Sequence, residues 1–366
     1  MKRAVAASIV FLGLSCIALW RARPDGDVTE LHGYGQAVLD GRLPYRDFAL
    51  EYPPGAIPLF TLPALGEYVT WYRVENLIGW ALVLALTGAL LAGVYAARRW
   101  NGVRLAGLAL VPFALGPLAL MRFDPWPTAL VLAALLALLR RRPTLALALL
   151  ALGALVKTWP LLLLPLFLVH GAPRRSFAVF AGLFAAGWLP FALLAHAGAY
   201  NSAVGQVNRH LEFESVGASI LFALDRPVHL FFEAGSFSVS GSGADPIATV
   251  QSAVQVIGVL AVAWLYRRSS RRPSDLAAAA AATVAVLAVA GKVLSPQYLI
   301  WVAPFAALCD LPALALFGVS CLAARALTLA PYRELHELHT GSVALLAFRN
   351  AFLVATAAAL VRVARA

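Results

Sequence analysis

The sequence predicts an all-α protein, a polytopic transmembrane helical bundle of about 10–13 spans. Three observations predict it. The chain is 61% hydrophobic and only 13% charged over 366 residues, about half the charged fraction of an ordinary soluble domain. Long apolar stretches recur from end to end, so lipid is the solvent for most of the chain. The basic residues sit in short clusters between those stretches, the pattern by which membrane proteins fix their orientation. That clustering accounts for the pI near 10.1 without nucleic acid, which is excluded as a partner. Cys16, Cys309 and Cys321 fall in or beside apolar segments and imply neither a disulfide framework nor a metal site. A single domain is expected over residues 1–366, with membrane lipids as its surroundings.

The first element follows Met1-Lys2-Arg3 as an apolar run to Trp20. A lipobox would need an aliphatic residue at Gly13, and no small-residue cleavage site precedes Arg21, so the run reads as an uncleaved signal anchor rather than a cleaved signal peptide. The spans expected are 4–20, 75–97, 104–120, 126–139, 144–157, 160–170, 176–195, 250–266, 276–291, 298–309, 312–328 and 343–361. Several fall short of the roughly 20 residues that a perpendicular helix needs. The short ones gather around Pro125, Pro127, Pro160, Pro165, Pro296 and Pro304. Broken helices are tolerated at membrane depth where they line a cavity, so these places are candidates for the working part.

Charge tests the parity. With both termini cytoplasmic, 16 of the 29 basic residues fall in inner segments, Arg98, Arg99, Arg104, Arg140, Arg141, Arg142, Arg174 and Arg175 among them. Of 18 acidic residues only Asp275 and Asp310 fall there. The outer side then carries two long loops, about 21–74 and 196–249, and a shorter one, about 329–342. The first is dense in charge, aromatic residues and Pro and reads as structured. The second contains a Ser/Gly stretch, 235–243, which reads as a flexible tip.

The first outer loop holds Asp25, Asp27, Glu30, His32 and Tyr34, then Asp47 and Glu51 between extended proline turns. A short helix is expected over 28–39 with Asp27 as its N-cap, and capping alone would account for that residue. Asp47 and Glu51 either bind hydroxyls or lock the loop through Arg42 and Arg46.

The string GRLPYRDFALEYPPGAIPLF, with Tyr34 and an aspartate-bearing segment before it, resembles the first outer loop of glycosyltransferase family 87. MRFDP from Met121, GALVKTWP from Gly153, NRHLEFES from Asn208 and GKVLSPQYLIW from Gly291 resemble further segments of that family in the same order. The resemblance implies a membrane domain of GT-C type. It also implies a polyprenyl-phosphate sugar donor, a lipid or cell-envelope glycan acceptor on the non-cytoplasmic face, and mannose as the hexose. An aspartate early in the first loop would be general base, and the matching position is Asp27; Asp25 and Glu30 remain alternatives, since Leu31 stands where related chains carry an aromatic residue.

Inverting transfer needs a carboxylate to take the acceptor's proton, and a departing lipid phosphate needs cations. Arg122, Lys157, Arg209 and Lys292 stand at predicted outer positions beside broken helices. Lys157 is the sharpest, because an isolated lysine after the apolar run 145–156 must be paired, line a wet cavity or snorkel to the interface. Arg122 could instead pair with Asp124. Tyr34, Tyr52, Asp47, Glu51, Asp124, Gln297 and His336 are the candidates for substrate contact. Tyr45, Trp126, Trp159, Tyr298 and Trp301 read as interfacial aromatic residues, of which one or two could stack on a sugar. His336 and His339, placed around Tyr332, could reach the site; this chemistry needs neither a metal nor a cofactor. A transporter or flippase of a lipid-linked sugar is the alternative, and it would need charged residues along a path reaching both faces.

Overall fold

The computed structural model describes residues 2–94, 100–233, 235–329 and 335–365. Arg98, Arg99 and Tyr332 lie outside the described residues, and of Lys2, Arg3 and Arg365 only the backbone is described. Over the described residues, every expected span falls on a helix. In order these are α1 (Lys2–Leu19), α4 (Tyr68–Val94), α5 (Asn101–Leu115), α6 (Pro125–Leu139), α7 (Pro143–Val156), α8 (Leu164–His170), α9 (Arg174–Leu194), α12 (Ala244–Arg267), α13 (Pro273–Ala290), α14 (Tyr298–Cys309), α15 (Leu311–Leu329) and α16 (Thr340–Arg365). Between them lie α2 (Gly26–Leu39), α3 (Ile57–Thr61), α10 (His196–Asn208) and α11 (Val216–Ala223). Seven described helices are long and apolar enough to cross a membrane. The shorter apolar ones include Pro125–Leu139, Pro143–Val156 and Tyr298–Cys309.

The packing is that of helices in lipid. Ile9, Leu14 and Ile17 on α1 and Val254, Ile257 and Leu260 on α12 are exposed, and only 6% of the apolar window of α9 is buried. The centre is α13, whose alanines Ala277 to Ala282 are all buried; small side chains let neighbouring backbones approach closely. The helix α4 starts seven residues before its expected position at 75. Its first turns look too polar for lipid but face protein. Arg73 donates to the Ala22 carbonyl, Asn76 to Leu120 O at 3.2 Å, and Trp80 Nε1 to Ala119 O at 2.8 Å.

By the order of the helices, the acidic loops fall at one end of the bundle and the arginine clusters of the described residues at the other. At the arginine end, Asp275 and Asp310 both serve as helix caps: Asp275 accepts from the Arg272 N–H at 3.0 Å and Asp310 from the Ala313 N–H at 2.7 Å. At the acidic end the first long loop is structured, as expected. Its cap is not: Asp25, not Asp27, is the N-cap of α2, its carboxylate accepting from the Val28 N–H at 3.2 Å. The helix starts earlier than expected, and this leaves Asp27 free for other work. A further apolar helical stretch, Pro54–Leu65, underlies α2. Gly35 permits that contact, since a Cβ there would sit 2.2 Å from Phe60 O. Tyr45 takes a left-handed φ of 67°, held by its hydroxyl on Tyr52 O at 2.6 Å and by Trp188 and Phe191 against its ring.

The second long loop departs from expectation. The Ser/Gly stretch is not a flexible tip but mostly strand β3 (Ser236–Gly241), the middle of an antiparallel sheet between β1 (Leu211–Glu212) and β2 (Val228–Glu233). Its small side chains fit a tight site: Ser238 and Val239 are fully buried. The loop is fastened to α16 by a buried network in which the Arg349 guanidinium pairs with the Glu214 carboxylate, and Asn350 donates to Glu214 O at 3.1 Å and Ser219 Oγ at 2.8 Å. Removing one partner of a buried ion pair strands the other charge, at about 3–5 kcal/mol. Arg349→Met is therefore expected to lower the unfolding temperature of the detergent-purified protein by many degrees, which thermal denaturation would measure; an unchanged melt would contradict the clamp.

Candidate active site

The helix α2 offers one acidic edge. Asp27 and Glu30 are three residues apart, which puts both side chains on one face. Behind them, Arg122 reaches both Asp25 Oδ2 and Asp27 Oδ2 at 2.8 Å, so it pairs with the α2 carboxylates rather than with Asp124. Glu30 accepts from the Tyr34 hydroxyl at 2.5 Å. Burial raises the Asp27 carboxyl above its ordinary 3.8; Arg122 and Lys157 pull it back, while Asp25 and Glu30 push it further up. Glu51, on the strap after the Tyr45 turn, is also raised by burial and by Glu30, with Arg209 opposing.

Lys157 stands where α7 stops. Its backbone is extended (φ −154°, ψ 140°) and its N–H closes the helix on Gly153 O at 2.9 Å; a 3₁₀ turn, Trp159–Leu163, then leads into α8. Lys157 Nζ lies 2.7 Å from Asp124 Oδ1, and the side chain is only 13% exposed. The same Asp124 oxygen accepts from Trp301 Nε1 at 2.6 Å. Around the ammonium stand the rings of Phe123 at 4.9 Å, Trp301 at 5.4 Å, Tyr298 at 5.8 Å and Tyr52 at 5.9 Å. Lys157 is thus both paired and facing a cavity, and it does not snorkel. Asp124 is fully buried and holds that lysine.

The third wall comes from the second long loop and the unwound segment 291–297. Arg209 donates to Ser236 Oγ. Lys292 Nζ donates to Val207 O at 2.8 Å, and the Glu212 N–H donates to Lys292 O at 2.9 Å, which ties the two segments together. Glu212 is buried, and burial pushes its carboxyl up to about 7, with Arg209 opposing and Glu214 adding.

These walls enclose a cavity of about 510 Å³. Of the expected residues, Asp27, Glu51, Tyr52, Lys157, Arg209 and Lys292 line it, as does Glu30. Trp159, Tyr298 and Trp301 also line it, as do the apolar side chains of Leu161, Leu162, Val207, Val256 and Leu287. The other expected residues stand elsewhere. Arg122 and Tyr34 lie behind the carboxylates they bind. Asp47 locks its own turn, accepting from the Leu43 N–H at 2.7 Å and from Arg46 at 2.8 Å. Gln297 accepts from Ser295 Oγ at 2.7 Å, one residue removed from the lining. His336 packs on Phe213 and Phe237, with ring centroids 5.2 and 4.2 Å away, and His339 lies 3.3 Å from Glu337. Among the described residues no group of three or more His, Cys, Asp or Glu could hold a metal.

Glu212, Ser236 and Gln255 also line the cavity and were not singled out by sequence reasoning. For Glu212 the alternation Leu211-Glu212-Phe213-Glu214 gave no warning, since both faces of this short strand are buried. Chemically the cavity combines carboxylates able to take a proton, cations able to meet a phosphate, aromatic rings suited to a sugar face, and an apolar wall suited to a lipid chain.

No curated protein matches this chain. The model of glycosyltransferase family 87 matches residues 50–296, about two thirds of the sequence. That range contains Glu51, Tyr52, Lys157, Arg209, Glu212 and Lys292; Asp27 precedes it. A multi-pass helical bundle holding this cavity, with the match running through most of the cavity wall, identifies the chain as a member of glycosyltransferase family 87, a membrane glycosyltransferase.

Proposed function

We propose that the protein moves a hexose, mannose by the family resemblance, from a polyprenyl-phosphate donor to a lipid or cell-envelope glycan acceptor at the non-cytoplasmic face, with inversion. The observation that carries this reading is the make-up of the cavity: carboxylates of the first long loop line the same space as Lys157, Arg209 and Lys292, together with the apolar side chains of Leu161, Leu162, Val207, Val256 and Leu287. A sugar phosphate on an isoprenoid chain has a hydroxylated head, an anionic joint and an apolar tail, and each finds its counterpart there. The outer location is supported by the arginine clusters, which gather at the end of the bundle opposite the cavity.

The reaction is a single displacement. The acceptor oxygen attacks the anomeric carbon while Asp27 takes its proton. The bond from that carbon to the phosphate oxygen breaks, and the phosphate leaves with the electron pair. Lys157, Arg209 and Lys292 meet the charge that develops there. Among the three α2 carboxylates, Asp25 is occupied as a helix cap and Glu30 by Tyr34. Asp27 lines the cavity, and burial makes it a stronger base than a free aspartate. Arg122 aims it and supports its charge. A flippase would carry acids toward both ends of the bundle, whereas the two at the arginine end are spent as helix caps.

A photoreactive polyprenyl phosphate offered to the membrane-embedded protein tests the donor site. It is expected to label the α12 and α13 segments around Val256 and Leu287, with protection by unlabelled polyprenyl phosphate. Labelling confined to the lipid-facing sides of α1 and α9 would refute this site.

A further inference from the structure

Glu212 is 1% exposed and yet belongs to the cavity wall. The Leu294 backbone and the Ser236 side chain favour the charged form of its carboxylate. Its Oε2 has no hydrogen-bond partner among the described residues, and neither does Nε of Arg209, which lines the same cavity. A buried carboxylate oxygen left unmet is costly, so a built cavity wall that retains one is expected to have it met by a ligand.

The chemistry of that ligand group is narrow. An ionised carboxylate only accepts hydrogen bonds, and it repels a phosphate, which Lys157, Arg209 and Lys292 already serve. The group that meets it must be a hydrogen-bond donor, and on a hexose phosphate, whose charge is all on the phosphate, the donors are the sugar hydroxyls. Tyr298 and Trp301 line the same cavity, stacked with ring centroids 3.8 Å apart. An aromatic face next to a carboxylate suits a pyranose, whose C–H face packs on rings while its edge offers hydroxyl donors. We infer that Glu212 Oε2 accepts a hydrogen bond from a hydroxyl of the donor hexose and so sets which hexose the protein takes. This rests on the reading that the cavity binds a polyprenyl-phosphate hexose. Glu212 is here a specificity residue and takes no part in the displacement at the anomeric carbon. Its carboxyl, pushed up to about 7 by burial, can also donate when protonated, which suits a vicinal pair of hydroxyls.

The test is a cycle between protein and sugar. The full chain in proteoliposomes is given polyprenyl-phosphate mannose and its monodeoxy analogues, one for each ring hydroxyl, and kcat/KM is measured for wild type, Glu212→Gln and Glu212→Ala. In wild type one analogue is expected to be about 100-fold poorer than the parent. In Glu212→Ala that penalty should vanish while the penalties of the other analogues persist. Glu212→Gln preserves the shape and should reduce the same penalty, so the cycle can be read even if the alanine variant fails to fold. Unchanged penalties for every analogue in Glu212→Gln would overturn the inference alone. Wild type that transfers from none of these donors would overturn the donor reading as well.

Discussion

Replacing Asp27 by Asn is expected to abolish nearly all transfer, lowering kcat/KM by about 1,000-fold, or about 4 kcal/mol of transition-state stabilisation. The amide keeps the shape of the carboxylate and its contact with Arg122 but cannot take a proton. The effect should fall on kcat more than on KM, since donor and acceptor are held mostly by other groups. The pH profile gives an independent readout. A general base works only when ionised, so activity should rise with pH through the carboxyl's own pKa. Burial, reinforced by Asp25 and Glu30, raises that of Asp27 above 3.8 against the pull of Arg122 and Lys157. The acidic limb should therefore lie above the ordinary aspartate range, and it should be missing from the residual activity of Asp27→Asn. Glu30→Gln should keep the limb. If Glu30→Gln removed it and Asp27→Asn did not, the base would be Glu30.

Lys157→Met should be the most damaging single change to the phosphate side. It strands Asp124, which is fully buried and then keeps only Trp301 Nε1 as a partner on its Oδ1. The expected folding cost is about 3–5 kcal/mol, beside a loss of turnover of at least about 100-fold from the missing cation. The double variant Lys157→Met with Asp124→Asn separates the two effects. Removing the stranded charge should restore most of the thermal stability, and transfer should stay low. A double variant with near wild-type transfer would mean that Lys157 is there only to neutralise Asp124.

The way each residue type behaves in lipid explains what could be read from the sequence. The helical spans were legible because apolar runs and arginine clusters are physical requirements of a bilayer, and they need no knowledge of contacts. The start of α4 was missed for the converse reason: Arg73 and Asn76 look unsuited to a membrane until their partners, the carbonyls of Ala22 and Leu120, are known. The Ser/Gly stretch misled because small residues are flexible in isolation yet pack tightly as the middle strand of a sheet, where Ser238 is buried.

The site divides the same way. Lys157 stood out because a lone charge in an apolar run demands an explanation, but nothing local named Asp124 as its partner 33 residues earlier. Asp27 was picked out by its place in the first loop, although its expected role as a cap belongs to Asp25. Arg122 was read as a phosphate ligand because its charge was visible and its two aspartates, nearly 100 positions away, were not. Glu212 was silent in the sequence: its importance comes from burial and an unmet oxygen, and both exist only in the fold.

The central claim is that a lipid-linked hexose is the donor in this cavity. Its most direct test is transfer by the purified chain in proteoliposomes, with the hexose radiolabelled and supplied either as a polyprenyl phosphate or as a nucleotide sugar, in the presence of membrane-lipid acceptors. The expected result is labelled product from the polyprenyl-phosphate donor only, with inverted anomeric configuration, and none from Asp27→Asn. Transfer from the nucleotide sugar alone, or product of retained configuration, would contradict the account.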